Sequence, residues 1–176
     1  MLIEYCDCSA GKAFRAGEII ILPRPKEEPM FFKLRPENCG RFGRKTLYGG
    51  ELTDVPPQIY RFHFEFDRYP NDELLEVNCV FLGTAKLAEQ IKALNPKGIS
   101  FDEVTCTTSH EYREALGEKE LPAFKWFKIT GKPGVDHFGI SADHQLVVEE
   151  PFLVLMKPKI ANCQTSIFIK EENVPK

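Results

Sequence analysis

The chain has no apolar run approaching the roughly 18 to 20 residues that span a bilayer. Its opening, MLIEYCDCSAGKAF, lacks the basic start and continuous apolar core of a secretory leader. The expectation is a cytosolic protein that does not enter a membrane. It also lacks a phosphate-binding glycine loop, a helical HExxH, a nucleophile elbow and a paired CxxC, so no motif nominates a catalytic residue, a metal or a cofactor. Net charge is scarce: 23 Lys and Arg against 26 Asp and Glu leave −3, the wrong sign for general affinity to nucleic acid or an anionic surface. The six cysteines are scattered, with Cys6 and Cys8 the one close pair. In a reducing compartment that pattern reads as free thiols, several of them core filler, because a zinc site wants a second pair at matching spacing.

What is present is enough for a core. A chain of 176 residues with 43% apolar and 28% charged content fits one globular domain without staples. The expected class is α+β: a single domain with a mixed, mainly antiparallel sheet carrying two to three short helices. A strand-and-loop region over 1–74 leads into a βα-type part over 75–170. Charge is distributed unevenly. Lys12 to Lys45 is basic and Asp102 to Glu120 acid-rich, so two faces of opposite sign are possible beside the plainer reading of solvated surface.

In chain order, Glu18 to Leu22 and Met30 to Leu34 read as strands around the proline-rich link PRPKEEP. Asn38 to Gly50 is a glycine- and cation-rich loop, in which Gly40 and Gly43 bracket Arg41 and Phe42. Gln58 to Asp67 alternates strictly, with Phe62, Phe64 and Phe66 facing the core and His63, Glu65 and Asp67 facing water. After a turn through Pro70 to Asp72, Glu76 to Leu82 reads as one buried strand feeding a helix. That helix has Thr84 as its N-cap, Leu87, Ala88, Ile91 and Leu94 on its apolar face, and Asn95 to Gly98 as its stop. Ile99 to Thr107 is a further strand. Thr108, followed three residues on by Glu111, opens a short helix to Gly117.

The stretch Leu121 to Glu150 organises the rest. It holds the single tryptophan, Trp126, in an apolar run, then a Gly-Lys-Pro-Gly turn, a DHFGI segment and a strand over Gln145 to Val148. Glu149, Glu150 and Pro151 suit the first turn of a helix, where carboxylates meet the positive end of its dipole. Phe152, Leu155 and Met156 face inward, Pro158 ends the helix, and Thr165 to Ile169 is a last strand. Strand, helix, loop and strand thus occur twice, from Val80 to Val104 and from Leu146 to Ile169.

GTAKLAEQIKALNPKGISFDEV, LPAFKWFKITG, DHFGIS and HQLVVEEPFLVLMK, in that succession over roughly residues 75–165, resemble small α+β immunity proteins of bacterial polymorphic toxin systems. Where that pattern expects a serine after the LVV run, Glu149 stands here. The resemblance implies a cytoplasmic inhibitor that occludes the active site of a cognate toxin domain, and an acidic patch suits a basic partner. The residues it nominates are Asp102, Glu103, Glu111, Tyr112 and Glu114 around the second helix, with Asp136, Asp143, Glu149 and Glu150 as a second cluster. Each has an alternative as solvated charge or turn cap. Two other classes remain open: a small hydrolase using His63 or the His137 and His144 loop with its aspartates, and an RNA-associated module using Arg41, Phe42, Arg44 and Lys45 of the loop at 40–45.

Overall fold

The computed structural model describes residues 28–50 and 56–169. Cys6, Cys8, the expected strand at 18–22 and most of the proline-rich link lie outside them. Among the described residues, eleven strands and three short helices build two sheets with a core shared between them.

The first strands are β1 (Phe31–Arg35), β2 (Gly40–Phe42), β3 (Leu47–Gly49) and β4 (Gln58–Phe66). There follow β5 (Leu74–Val77), β6 (Val80–Thr84), helix α1 (Ala85–Lys92), β7 (Ile99–Thr108) and helix α2 (His110–Leu116). The chain continues through β8 (Phe124–Ile129), β9 (Phe138–Ile140), β10 (Leu146–Glu149), helix α3 (Glu150–Met156), a 3-10 turn (Lys157–Lys159) and β11 (Gln164–Phe168). The large sheet runs β2-β4-β7-β8-β6-β5, with β3 also on β4, and its β4–β7 pair is parallel. The small sheet, β11-β1-β10-β9, is antiparallel throughout.

The alternation of β4 holds for its phenylalanines. Phe62, Phe64 and Phe66 are fully buried and meet edge to face, and Phe62 lies 5.7 Å from Trp126 of β8. They form a second core on the face of the large sheet turned away from α1. The other face carries Phe81 and Phe127, and there α1 packs through Leu87, Ala88 and Ile91. Leu94, expected on the same apolar stripe, is exposed, because the helix ends at Lys92 and the chain turns away through Asn95 in the left-handed region.

Two expectations need correction. Glu76 to Leu82 is not one strand: Asn78 and Cys79 both adopt positive φ and close a two-residue hairpin between β5 and β6, a turn shape that matches the twist of paired strands. The cap of α2 is Ser109 rather than Thr108; its hydroxyl accepts the Tyr112 amide at 3.2 Å.

The repeated pattern is real in topology. β6 and β7 are both antiparallel to β8, so they run parallel to each other with β8 between them and α1 as the crossover. β10 and β11 are likewise both antiparallel to β1, with α3 as the crossover. Each unit begins with a hairpin, β5–β6 or β9–β10, whose turn places Cys79 or His144 at positive φ. Leu87, Ala88 and Ile91 follow the N-cap Thr84 at the same steps as Phe152, Leu153 and Met156 follow the N-cap Glu149. Leu153 thus takes the buried place expected of Leu155, which packs only partly against the core. α1 rests on the large sheet and α3 on the small one, and their buried faces meet in the shared core.

Candidate functional site

Helix α2 and the loop after it stand apart from the rest of the surface. Tyr112 is the helix's one buried residue; its ring enters the second core and its hydroxyl donates to the Lys119 carbonyl at 3.0 Å. Gly117, at φ 63, ends the helix where a side chain would be strained, and the chain turns back toward β8. The cations of this lobe are exposed but engaged by the protein. Arg113 donates to the Thr108 carbonyl, and the Lys119 ammonium sits 3.5 Å above the Tyr69 ring. Its carboxylates, Glu111, Glu114, Glu118 and Glu120, are all exposed. Glu111 lies 3.5 Å from Arg41 and Glu114 lies 3.2 Å from His110. The carboxyl of Glu111 is held below the ordinary glutamate range by its own amide and the Ser109 hydroxyl, with Arg41 and His110 adding to the effect. The lobe therefore shows solvent a negative rim over a single aromatic anchor.

Tyr112 was expected to be an exposed contact for a partner. It is fully buried, because alternate turns of so short a helix leave one position facing the sheet, and its ring fills that position. Asp102 and Glu103 sit on β7, away from the lobe in sequence, and face cations of β8. Asp102 lies 3.3 Å from Lys128, Glu103 pairs with Lys125, and the Glu103 amide and Lys128 hold the Asp102 carboxyl down. Glu118 and Glu120 were not nominated one by one, although the acid-rich composition of this stretch carried the signal.

The second cluster does not form a common patch. Asp136 accepts the Lys132 amide at 2.8 Å and so closes the Gly131 to Gly134 turn. Asp143 binds Lys33 at 2.9 Å and the Gln145 amide group at 2.9 Å. The Ser141 hydroxyl and Lys33 pull its carboxyl to about 2. Glu149 is the N-cap of α3 and lies 3.5 Å from His137 Nε2, while Glu150 is exposed at the start of that helix.

The histidines have separate tasks. His63, expected on the wet face of β4, is buried under the loop at 43–46. Its Nδ1 accepts the Lys45 amide at 3.1 Å, which leaves the proton on Nε2, 2.8 Å from the Thr107 hydroxyl. Burial and then Lys45 lower its affinity for a second proton. Both ring nitrogens are thus engaged in holding the loop. His137 Nδ1 accepts the Lys97 amide at 2.9 Å. The stretch 38–50, expected as one loop, instead holds β2 and β3, and its glycines serve close approach: a Cβ on Gly40 of β2 would lie 2.2 Å from the Glu65 carbonyl, and one on Gly43 of the connecting loop would lie 2.2 Å from the His63 ring. Arg41 is occupied by Glu65, Asp67 and Glu111. Arg44 and Lys45 point outward, with Tyr48 and Tyr60 exposed on neighbouring strands.

The described thiols are free and are held protonated by burial: Cys39 is pushed up to about 12, Cys106 and Cys163 to about 11, and Cys79 is also raised. A cavity of about 400 Å³ lies where the two hairpin turns meet, lined by Arg35, Glu76, Cys79, Asp143 and His144 among others. There the Cys79 thiol donates to the His144 carbonyl at 3.3 Å. Among the described residues no three His, Cys, Asp or Glu side chains are grouped to hold a metal, and no helix is long and apolar enough to cross a membrane. Comparison of the sequence with family models and with curated proteins finds no match.

Proposed function

We propose that this chain is an immunity-type inhibitor, acting in the cytoplasm, that binds a basic toxin domain and covers its active site with the α2 lobe. The observation that carries the reading is the balance of charge on that lobe: four exposed carboxylates, Glu111, Glu114, Glu118 and Glu120, stand against two cations, Arg113 and Lys119, each of which is engaged by a contact within the protein. Such a rim accelerates encounter with a cationic cleft and disfavours acidic partners. Asp102 and Glu103 add carboxylates along β7, where they pair with Lys128 and Lys125.

The test is co-expression with the toxin encoded beside it, followed by capture of the tagged chain in moderate salt. One basic domain should be recovered in equal amount and its toxicity relieved. Glu111→Lys combined with Glu114→Lys should abolish both protection and capture without changing the fold. Full protection by that double variant would refute the reading. The exposed Arg44, Lys45, Tyr48 and Tyr60 favour a second reading, single-stranded RNA binding at the β3 edge, in which rings stack on bases and cations meet phosphates. An RNA oligonucleotide that binds with no dependence on salt, or does not bind at all, would rule it out.

A further inference from the structure

The two repeats meet at their turns. The hairpin turn of the first, at Asn78 and Cys79, and that of the second, at His144, are joined by the bond from the Cys79 thiol to the His144 carbonyl. All three residues hold positive φ without being glycine, a conformation that clusters where the backbone is fixed for a task. The cavity of about 400 Å³ between these turns falls within the roughly 300–1,000 Å³ typical of small-molecule sites. A second cavity, of about 250 Å³, shares its Arg35 and Gln145 walls and adds Thr165 and Ser166. Of the charged side chains lining the first, Asp143 is taken up by Lys33 and by the Gln145 amide group. Arg35 and Glu76 remain. Arg35 lies near enough to act on the Glu76 carboxyl, yet neither forms an ion pair with the other or with any described side chain. Glu76 is half-buried, its Oε1 accepting the Cys79 amide at 3.3 Å, and burial pushes its carboxyl up. A half-buried carboxylate lacking a cation and a guanidinium lacking an anion thus stand on the walls of one cavity, which suits a molecule carrying both charges.

We propose that this cavity binds a free amino acid, with its ammonium on Glu76 and its carboxylate on Arg35. The second cavity sets the side chain: its walls are amides, hydroxyls and the Arg35 guanidinium, so a polar group finds partners there and an aliphatic one gains nothing. A simple carboxylate or a simple amine leaves one end of the site unpaired, which costs the desolvation of that end without a return. The turns that frame the site are held to each other before any ligand arrives, so little ordering opposes binding. The proposal is independent of the toxin reading, because no residue of α2 lines either cavity.

The experiment is an NMR titration of the nitrogen-15-labelled full chain with each protein amino acid in turn, to about 10 mM, high enough to detect weak binding. A polar amino acid should shift the amides of Asn78, Cys79 and His144 with a dissociation constant below about 1 mM. The amine and the carboxylate that match it, each lacking one charge, should bind at least about tenfold more weakly. Glu76→Gln, which keeps an acceptor for the Cys79 amide, and Arg35→Gln should each weaken binding to the same degree, with the rest of the spectrum unchanged. No shift at these turns with any amino acid, equal binding of an analogue with a single charge, or binding that neither substitution weakens would overturn the proposal.

Discussion

Tyr112 is the point at which the α2 lobe can be detached from the protein. Its ring is the helix's one buried side chain, so nothing else in α2 offsets its loss. Truncating a fully buried aromatic to alanine costs roughly 3–5 kcal/mol, transfer and cavity terms together. Tyr112→Phe keeps the ring and removes only the hydrogen bond to the Lys119 carbonyl, at a cost of about 1 kcal/mol. For a domain of this size the alanine variant should melt on the order of 10 °C lower, and the phenylalanine variant about 2–4 °C lower. Urea unfolding of both variants gives the energies, and amide exchange across 109–121 locates them. Exchange should rise first in the lobe and reach β4 and β8 only with global unfolding. An alanine variant within about 1 kcal/mol of the parent would mean that the lobe is anchored elsewhere, and would remove the reason for treating it as one element.

Gly43→Ala should destabilise by about 1–3 kcal/mol by calorimetry, since the added methyl overlaps the His63 ring and a packed loop must move to accept it. His63 makes stability depend on pH in one direction. Its folded pKa lies below the unfolded value, so its contribution is complete above about 6.5 and declines as pH falls from there toward the folded value. Unfolding curves at several pH values between 7.5 and 5 should show that slope, and His63→Gln should flatten it. Asp143 acts in a lower window: its folded carboxyl titrates near 2, so its contact with Lys33 should persist to about that pH. An NMR titration that places Asp143 at the ordinary aspartate value would disprove the contact.

Elements governed by near neighbours could be read in the sequence. The period-two run of β4, the Thr84 cap and the carboxylate-proline start of α3 are each decided within a few residues, and each stands where the residues put it. What alternation could not show is the layer across each face. His63 takes the polar side of its strand, yet a loop from seventeen residues earlier covers it. The Asn78-Cys79 turn was hidden because it has no glycine and interrupts an apolar run on both sides; non-glycine residues bear its positive φ. Among the candidate site residues, composition located the acidic stretch but not its inner and outer members. That sorting depends on which turn of α2 meets the sheet, so Tyr112 was placed on the wrong side.

The place of β1 between β10 and β11 has a consequence for synthesis. Lys33 meets Asp143 across 110 residues of chain, and Phe31 pairs with Phe168. On the ribosome, β5 to β8 can find one another soon after they emerge, whereas β1 must wait, with Phe31, Phe32 and Leu34 uncovered, until both of its neighbours exist. A ribosome-associated chaperone would have its longest engagement at this strand. The large sheet is the part that can be assembled while translation continues, and the small sheet can close only after β11 has been released from the exit tunnel.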